Sequence, residues 1–341
     1  MKNAEKKQGS ESGSQQLALV PEPPEPKSPA ARRTRNRKEE DLAAKGRLAL
    51  RASELRIARN AEDLEVTQIA QSLILCGLPY VPTKDTRLVR HARLGNGSEV
   101  RVTFSSGLGS EMPYGSDRTL LYFLLDKAVK SGSRFVSWST ATEFLSQMGM
   151  QTASGKNYAD LRKRFSRLRG LTIGVERTNE DSDTSVLMPV IRRSALPTSM
   201  AIRASRRGQE PLPLSETISY GVEIDEGFFQ DLLRFHVPVP TELLAQTRKQ
   251  SQMQDICLFL HWRCYAARSE ATIPWDALRA QFWHEDKTAR RIKVRVAEAI
   301  KFLRLLWPEL QAEAQANGLW VAPPHNRAYL LPQGKAARRL Q

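Results

Sequence analysis

The chain has 341 residues, and 52 Lys and Arg against 37 Asp and Glu leave a formal net charge of +15. That length fits about two domains of roughly 100–200 residues, and a pI of about 10 predicts a surface that attracts polyanions, nucleic acid before anionic membrane. No apolar run approaches the ~20 residues of a membrane helix, the polar N-terminus predicts no secretory signal, and Cys76, Cys257 and Cys264 are too few and scattered for a disulfide framework.

Residues 1–38 read as a disordered tail. Pro21, Pro23, Pro24, Pro26 and Pro29 are followed by a basic cluster at Arg32, Arg33, Arg35, Arg37 and Lys38, and such a stretch buries too little apolar surface to offset its ordering entropy. It is a solvated tail, a nucleic-acid-tethering arm, or both. Residues 39–82 read as a helical N-terminal segment, with Leu48, Leu55, Leu64, Ile69, Leu73 and Ile74 at helical spacings until Pro79 and Pro82.

Residues 83–192 carry the most informative pattern. Leu88–Leu94 and Glu99–Phe104 flank Asn96-Gly97, the strongest short hairpin signal in the chain. Ser116 is placed to cap a helix over Asp117–Lys130 with an apolar stripe of Leu120, Leu121, Leu124, Leu125 and Ala128. Arg134–Trp138 reads as a short strand, and Ser139 or Thr140 caps a second helix through Phe144, Leu145 and Met148. The turn at Ser154-Gly155 leads to a third helix from Lys156 to about Arg169, and Leu171–Glu176 with Thr184–Ile191 forms a hairpin. Helix, strand, helix, turn, basic helix and hairpin is the order of a winged helix.

Residues 193–216, rich in Arg, Ser, Pro and Gly, read as a linker or exposed loop. The same grammar then repeats over 217–332. A strand at Ile218–Ile224 and the proline-bracketed Val237–Pro240 precede an apolar helix over about Gln252–Ala267, a strand near Thr272–Ile273, a helix at Trp275–Trp283 and a third helix from about Lys287 to Leu306. Asn317-Gly318, between Gln311–Ala316 and Leu319–Val321, offers a second wing, and residues 333–341 form a basic tail. The expected fold is thus α+β and mostly helical, with two tandem winged-helix domains.

At 100° per residue the first basic helix places Tyr158, Leu161, Phe165 and Leu168 on one face and Lys156, Lys163 and Arg167 on the other, with Arg162 and Arg164 on the flanks. In the second, Ile292, Val296, Ile300 and Leu303 turn inward, Lys287, Arg290, Arg291 and Lys301 outward, and Lys293 and Arg295 flank. One basic helix face is ordinarily a solvated surface. Two, each third in a helix-turn-helix order and each followed by a hairpin, point to major-groove binding, where Arg pairs with guanine edges and Lys with phosphate. The candidate DNA contacts are Lys156, Asn157, Arg162, Lys163, Arg167, Lys287, Thr288, Arg290, Arg291, Lys293, Arg295 and Lys301. Neutralising ~8 phosphates would give a log–log salt slope near −7.

Catalytic and metal patterns are missing from the sequence. Gly155-Lys156 is followed by Asn157 rather than Ser or Thr and lacks the upstream glycine of a P-loop. His91, His236, His261, His284 and His325 form no HxH or HExxH pair, and GxSxG and CxxC are missing. His325, Arg327 and Tyr329 lack the spacing and upstream partners of a tyrosine recombinase. His261, beside Trp262 in an apolar helix, reads as a core or capping histidine. Cys257 and Cys264, seven apart, share a helix face and read as core thiols in a reducing compartment. No enzyme activity and no cofactor are expected.

The stretch MPYGSDRTLLYFLLDKAVKSGSRFVSW, then TEFLSQMGM, then SGKNYADLRKRFSRL resembles the first winged-helix domain of plasmid-encoded RepA replication initiators. Met112-Pro113-Tyr114-Gly115, Arg118, Phe144, Leu145, Gly149 and Ser154-Gly155 carry the likeness. HVPVPTELL, QDICLFLHWRCYAAR, IPWDALRAQFW and NGLWVAPP resemble the second domain, so the likeness spans about residues 80–330. Lys156 stands where the family has a second turn glycine, and His284-Glu285 where it more often has glycine after the second helix.

The resemblance implies a cytoplasmic bacterial protein that binds direct repeats (iterons) in a plasmid origin, bends the DNA, promotes opening of an adjacent A·T-rich segment and recruits host helicase machinery. It implies a monomer–dimer equilibrium, with dimers acting as repressors in copy control and the first domain supplying the dimer contact and a weaker DNA contact. A winged-helix transcriptional repressor without an origin-opening role, a nonspecific RNA or nucleic-acid binder and an unrecognised enzyme are the alternatives.

Overall fold

Strand pairing between distant parts of the chain organises the molecule. In the computed structural model the described residues are 64–94, 97–148, 155–179, 182–196, 220–283 and 289–324, with helical positions at 40, 42–43, 46–47, 49–55 and 57. The tails over 1–38 and 333–341, most of the expected linker, and Lys287 and Thr288 lie outside them. The chain divides into two units, 1–47 and 48–341. In the first only helical positions 40, 42–43 and 46–47 are described, and everything below concerns the second.

The segment read as helical to Pro79 is helical only in part. β1 (Val66–Ala70) is a strand, antiparallel to β9 (His236–Pro240) with Val66 opposite Pro240 and Ala70 opposite His236. Val66, Thr67 and Ile69 are β-branched and suit a pleated strand, and the partner that fixes their state lies far along the chain. Positions 49–55 and 57 before the strand are helical, and Gln71–Leu75 after it forms a short helix, α1.

β2 (Arg87–Arg93) and β3 (Glu99–Ser106) form the expected hairpin, with Arg93 opposite Glu99 and Gly97 at φ +87° in the turn. Asn96 lies outside the described residues. The hairpin is half of a larger sheet. β5 (Leu171–Thr178) pairs with β3, and β6 (Asp183–Pro189) with β5, giving the order β2-β3-β5-β6. The hairpin expected to be the first wing therefore forms, but in this four-stranded sheet.

α2 (Asp117–Ser131) buries the expected Leu120, Leu121, Leu124, Leu125 and Ala128. Its start differs from expectation: the Ser116 backbone is already helical and its hydroxyl makes no capping bond. Asp117 braces the turn instead, its Oδ2 accepting the Tyr114 N–H at 3.1 Å. At the other end Gly132, at φ +64°, lets the Ser133 N–H reach back to the Ala128 carbonyl at 3.2 Å. β4 (Phe135–Trp138) follows, then α3 (Ala141–Gln147) with a reciprocal cap. Thr140 Oγ1 accepts the Glu143 N–H at 3.0 Å, and the Glu143 carboxylate accepts the Ser139 N–H at 2.8 Å.

After α4 (Gly155–Gly170) and the β5–β6 hairpin, β7 (Ile191–Ala195) and β8 (Tyr220–Ile224) join β4 in the order β4-β8-β7. This moves two boundaries. Arg193–Ala195, read as linker, is strand, and Tyr220–Ile224, read as the start of the second module, completes the first module's sheet. α5 (Glu226–Arg234) has no counterpart in the sequence reading; Asp225 caps it by accepting the Gly227 and Phe228 N–H groups at 3.0 and 3.3 Å.

α6 (Thr241–Thr247) leads to α7 (Ser251–Ala266), which is buried on nearly every side from Gln254 to Trp262 and so shows no amphipathic stripe. β10 (Ala271–Pro274), α8 (Trp275–Phe282), α9 (Ala289–Leu306), β11 (Ala312–Ala314) and β12 (Gly318–Val321) complete the order, with the sheet arranged β10-β12-β11. The result is a mixed helix and sheet architecture with twelve strands in four sheets among the described residues. That is more strand than a mostly helical chain.

The Met112–Arg118 motif acquires a structural meaning here. Gly115, at φ +53°, donates its N–H to the Pro79 carbonyl at 2.9 Å. Arg118, 1% exposed, pairs with the equally buried Asp255 of α7 at 2.5 Å and donates to the carbonyls of Gly115, Leu78, Pro79 and Ser251. A buried guanidinium with its donors satisfied this way specifies one arrangement, and removing either charge strands the other. Gly77 packs so close to Asp255 that a Cβ there would collide with the carboxylate.

Candidate nucleic-acid interface

Lys287 apart, which lies outside the described residues, α4 and α9 hold the basic side chains that the sequence picks out, and each sits in the same local order. α2, β4, α3 and α4 precede β7 and β8; α7, β10, α8 and α9 precede β11 and β12. In both three-stranded sheets the first strand pairs with the last, and the middle one takes the outer place. The last strand carries a glycine at the crossing point in each. Gly221 lies opposite Ser137 and Gly318 opposite Pro274, and a Cβ on either would run into the carbonyl oxygen of Val136 or Ile273. Gly318 thus serves a close strand approach. The repeat moves the first module's strand–loop–strand to β7 and β8, whose connection lies outside the described residues.

On α4, Tyr158, Leu161, Phe165 and Leu168 are buried, and Phe165 stacks on Trp138 with ring centroids 5.8 Å apart. Lys156, Arg162 and Lys163 are exposed, and Asn157 is half-buried. Arg167 corrects the sequence reading. It points not outward but to the first turn of α2, where Nε and Nη2 donate to the buried Asp117 carboxylate at 2.6 and 2.9 Å. Its guanidinium also lies 4.7 Å from the Tyr114 ring centroid, and Arg164 Nε stands 3.9 Å from the same carboxylate. The helical wheel assumes one buried side, whereas α4 has two neighbours, the core and the start of α2. Arg169, outside the sequence-derived set, is exposed at the helix end.

On α9, Ile292, Val296, Ala299, Ile300 and Leu303 are buried. Arg290, Arg291, Arg295 and Lys301 are exposed, and Lys293 is half-buried. Arg295 leans on Glu298 at 3.1 Å, an exposed i,i+3 pair. Arg304 is tied down by donating to the Ala312 carbonyl at 2.9 Å, which fastens the helix to β11.

Beneath α9, His261 is buried on α7, with Nε2 3.2 Å from the Pro238 carbonyl oxygen and its ring edge-on to Trp307. Burial pushes its pKa down to about 4, so it is a neutral core residue. Cys76, Cys257 and Cys264 are unpaired in disulfides and buried, and burial raises the Cys76 and Cys264 thiols to about 12. The described residues contain no cluster of three or more His, Cys, Asp or Glu placed for a metal ion, and no helix long and apolar enough to cross a membrane.

No family model matches the chain, and no curated protein sequence matches it either. Among solved structures, it is similar to a crystal structure of RctB domains 2–3 at 14% identity, covering 76% of this chain and 99% of that one, with a TM-score of 0.46. A selenomethionine derivative of RctB domains 2 and 3 is similar at 14% identity, covering 74% and 91%, with a TM-score of 0.42.

Proposed function

We propose that the protein is a sequence-specific duplex-DNA-binding replication initiator of the plasmid RepA kind, built from two tandem winged-helix modules and acting without a catalytic step of its own. The observation that carries the reading is the repetition: two helices with cationic exposed faces, each third after a helix–strand–helix order and each followed by strands paired first to last. One such helix would be surface chemistry; a repeated frame that presents two is a scaffold for reading adjacent major grooves.

In this reading Lys156, Asn157, Arg162 and Lys163 of the first helix, and Lys287, Thr288, Arg290, Arg291, Lys293, Arg295 and Lys301 in and just before the second, meet bases and phosphates of an iteron. Linking the modules makes the second contact intramolecular, so the two together bind more tightly than either alone. Binding energy and supercoiling supply the deformation that opens an adjacent A·T-rich segment. A monomer–dimer equilibrium, recruitment of host helicase machinery and a cytoplasmic location belong to the same proposal.

The test is selection from a random duplex pool by the purified full chain near physiological salt. One enriched motif about two helical turns long supports the reading, and its recurrence as direct repeats beside an A·T-rich block separates an initiator from a repressor. Tight binding with no enrichment overturns it in favour of a nonspecific polyanion binder.

A further inference from the structure

The most outward position of α9 is not basic. Val294 is 51% exposed, and at 100° per residue it stands opposite the buried Ile292, Val296 and Leu303. The exposed Arg290, Arg291 and Lys301 lie around it on the same face, together with Glu298 and, three turns on, the exposed Leu305. A β-branched residue is a poor helix former and gains nothing from a solvated site. A longer polar or charged side chain would suit both the helix and the surface better. Within the major groove, however, there is one apolar group to meet: the C5-methyl of thymine. A branched aliphatic side chain flanked by cations that hold the phosphates and guanine edges is the chemistry that recognises it.

We propose that Val294 is a specificity-determining residue that packs against a thymine methyl in the half-site bound by α9. The inference rests on the duplex-binding reading above and sharpens it by naming one base. α4 presents Lys163 at the corresponding centre of its outward face, with Ala159 and Lys156 beside it, so the two helices demand different bases and the composite site is asymmetric.

The experiment takes the duplex recovered by selection and replaces each thymine in turn with deoxyuridine, which removes the methyl and leaves every hydrogen-bonding group. Binding of the wild-type chain and of Val294→Ala is measured by fluorescence anisotropy. For wild type, one thymine in the α9 half-site costs about fourfold in affinity when its methyl is lost, the size expected for one buried methyl group. Val294→Ala binds thymine and deoxyuridine alike at that position and keeps the wild-type response at the other thymines. A shared response of both proteins at every thymine, or none in either, overturns the assignment while wild type still selects its motif. Failure of wild type to select any motif overturns the duplex-binding reading instead. Thermal unfolding of Val294→Ala at or above the wild-type midpoint shows that the loss of discrimination is not loss of fold.

Discussion

The two basic helices share a frame but spend their charge differently. α4 gives Arg167, and in part Arg164, to a carboxylate buried at the start of α2; α9 keeps Arg290, Arg291 and Lys301 exposed and pairs Arg295 with the exposed Glu298. A row of arginines is therefore not a measure of cationic surface. Part of the row on α4 is a structural bolt between two helices, and the corresponding fastening on α9, Arg304 to the Ala312 carbonyl, sits at its far end. The second helix keeps the arginines of its outward face exposed.

The largest effect expected from this difference is on stability. Asp117→Ala removes the acceptor for Arg167 and Tyr114 and should cost about 3–5 kcal/mol, the range for breaking a buried ion pair. Urea unfolding measures it, and a loss under about 1 kcal/mol would mean the bolt is ornamental.

Acid should strike the other half. His261 has a folded pKa of about 4 against an ordinary value near 6.5. Between those values the unfolded chain binds more protons than the folded one, so stability falls as the pH drops through that window. The loss should reach about 2 kcal/mol between pH 7 and pH 5, and His261→Phe should flatten the curve. Unfolding midpoints insensitive to pH over that range in wild type would sink the account.

Duplex binding should then rank the helices. Arg291→Ala should weaken specific binding by about 1–3 kcal/mol if it reads a base edge, and more than Lys163→Ala does. Equal losses would erase the asymmetry drawn between the two helices. Lys163→Ala should lower the salt slope by about one if it meets a phosphate. Arg167→Ala, in contrast, should destabilise the fold and leave that slope unchanged. The smallest effect belongs to the Arg295–Glu298 pair, whose removal by Glu298→Ala should change stability by only about 0.2–1 kcal/mol.

Local chemistry made much of this architecture legible. The apolar stripes of α2, α4 and α9, the Thr140 cap and the hairpin around Gly97 are all short-range, and each needs only its own residues to be recognised. The basic outward faces follow from the same periodicity, and so does the central place of Val294, which a search for charge alone passes over. What the sequence could not decide was partnership. Val66–Ala70 is a strand because His236–Pro240 lies beside it, Tyr220–Ile224 serves the first sheet because β4 and β7 flank it, and the hairpin after α4 joins β3 where a wing had been expected. Arg167 faces inward because the first turn of α2 places Asp117 within 2.6 Å of it. Helix periodicity is written along the chain, but strand pairing and buried ion pairs depend on residues brought together from far apart, and only the tertiary structure determines which ones meet.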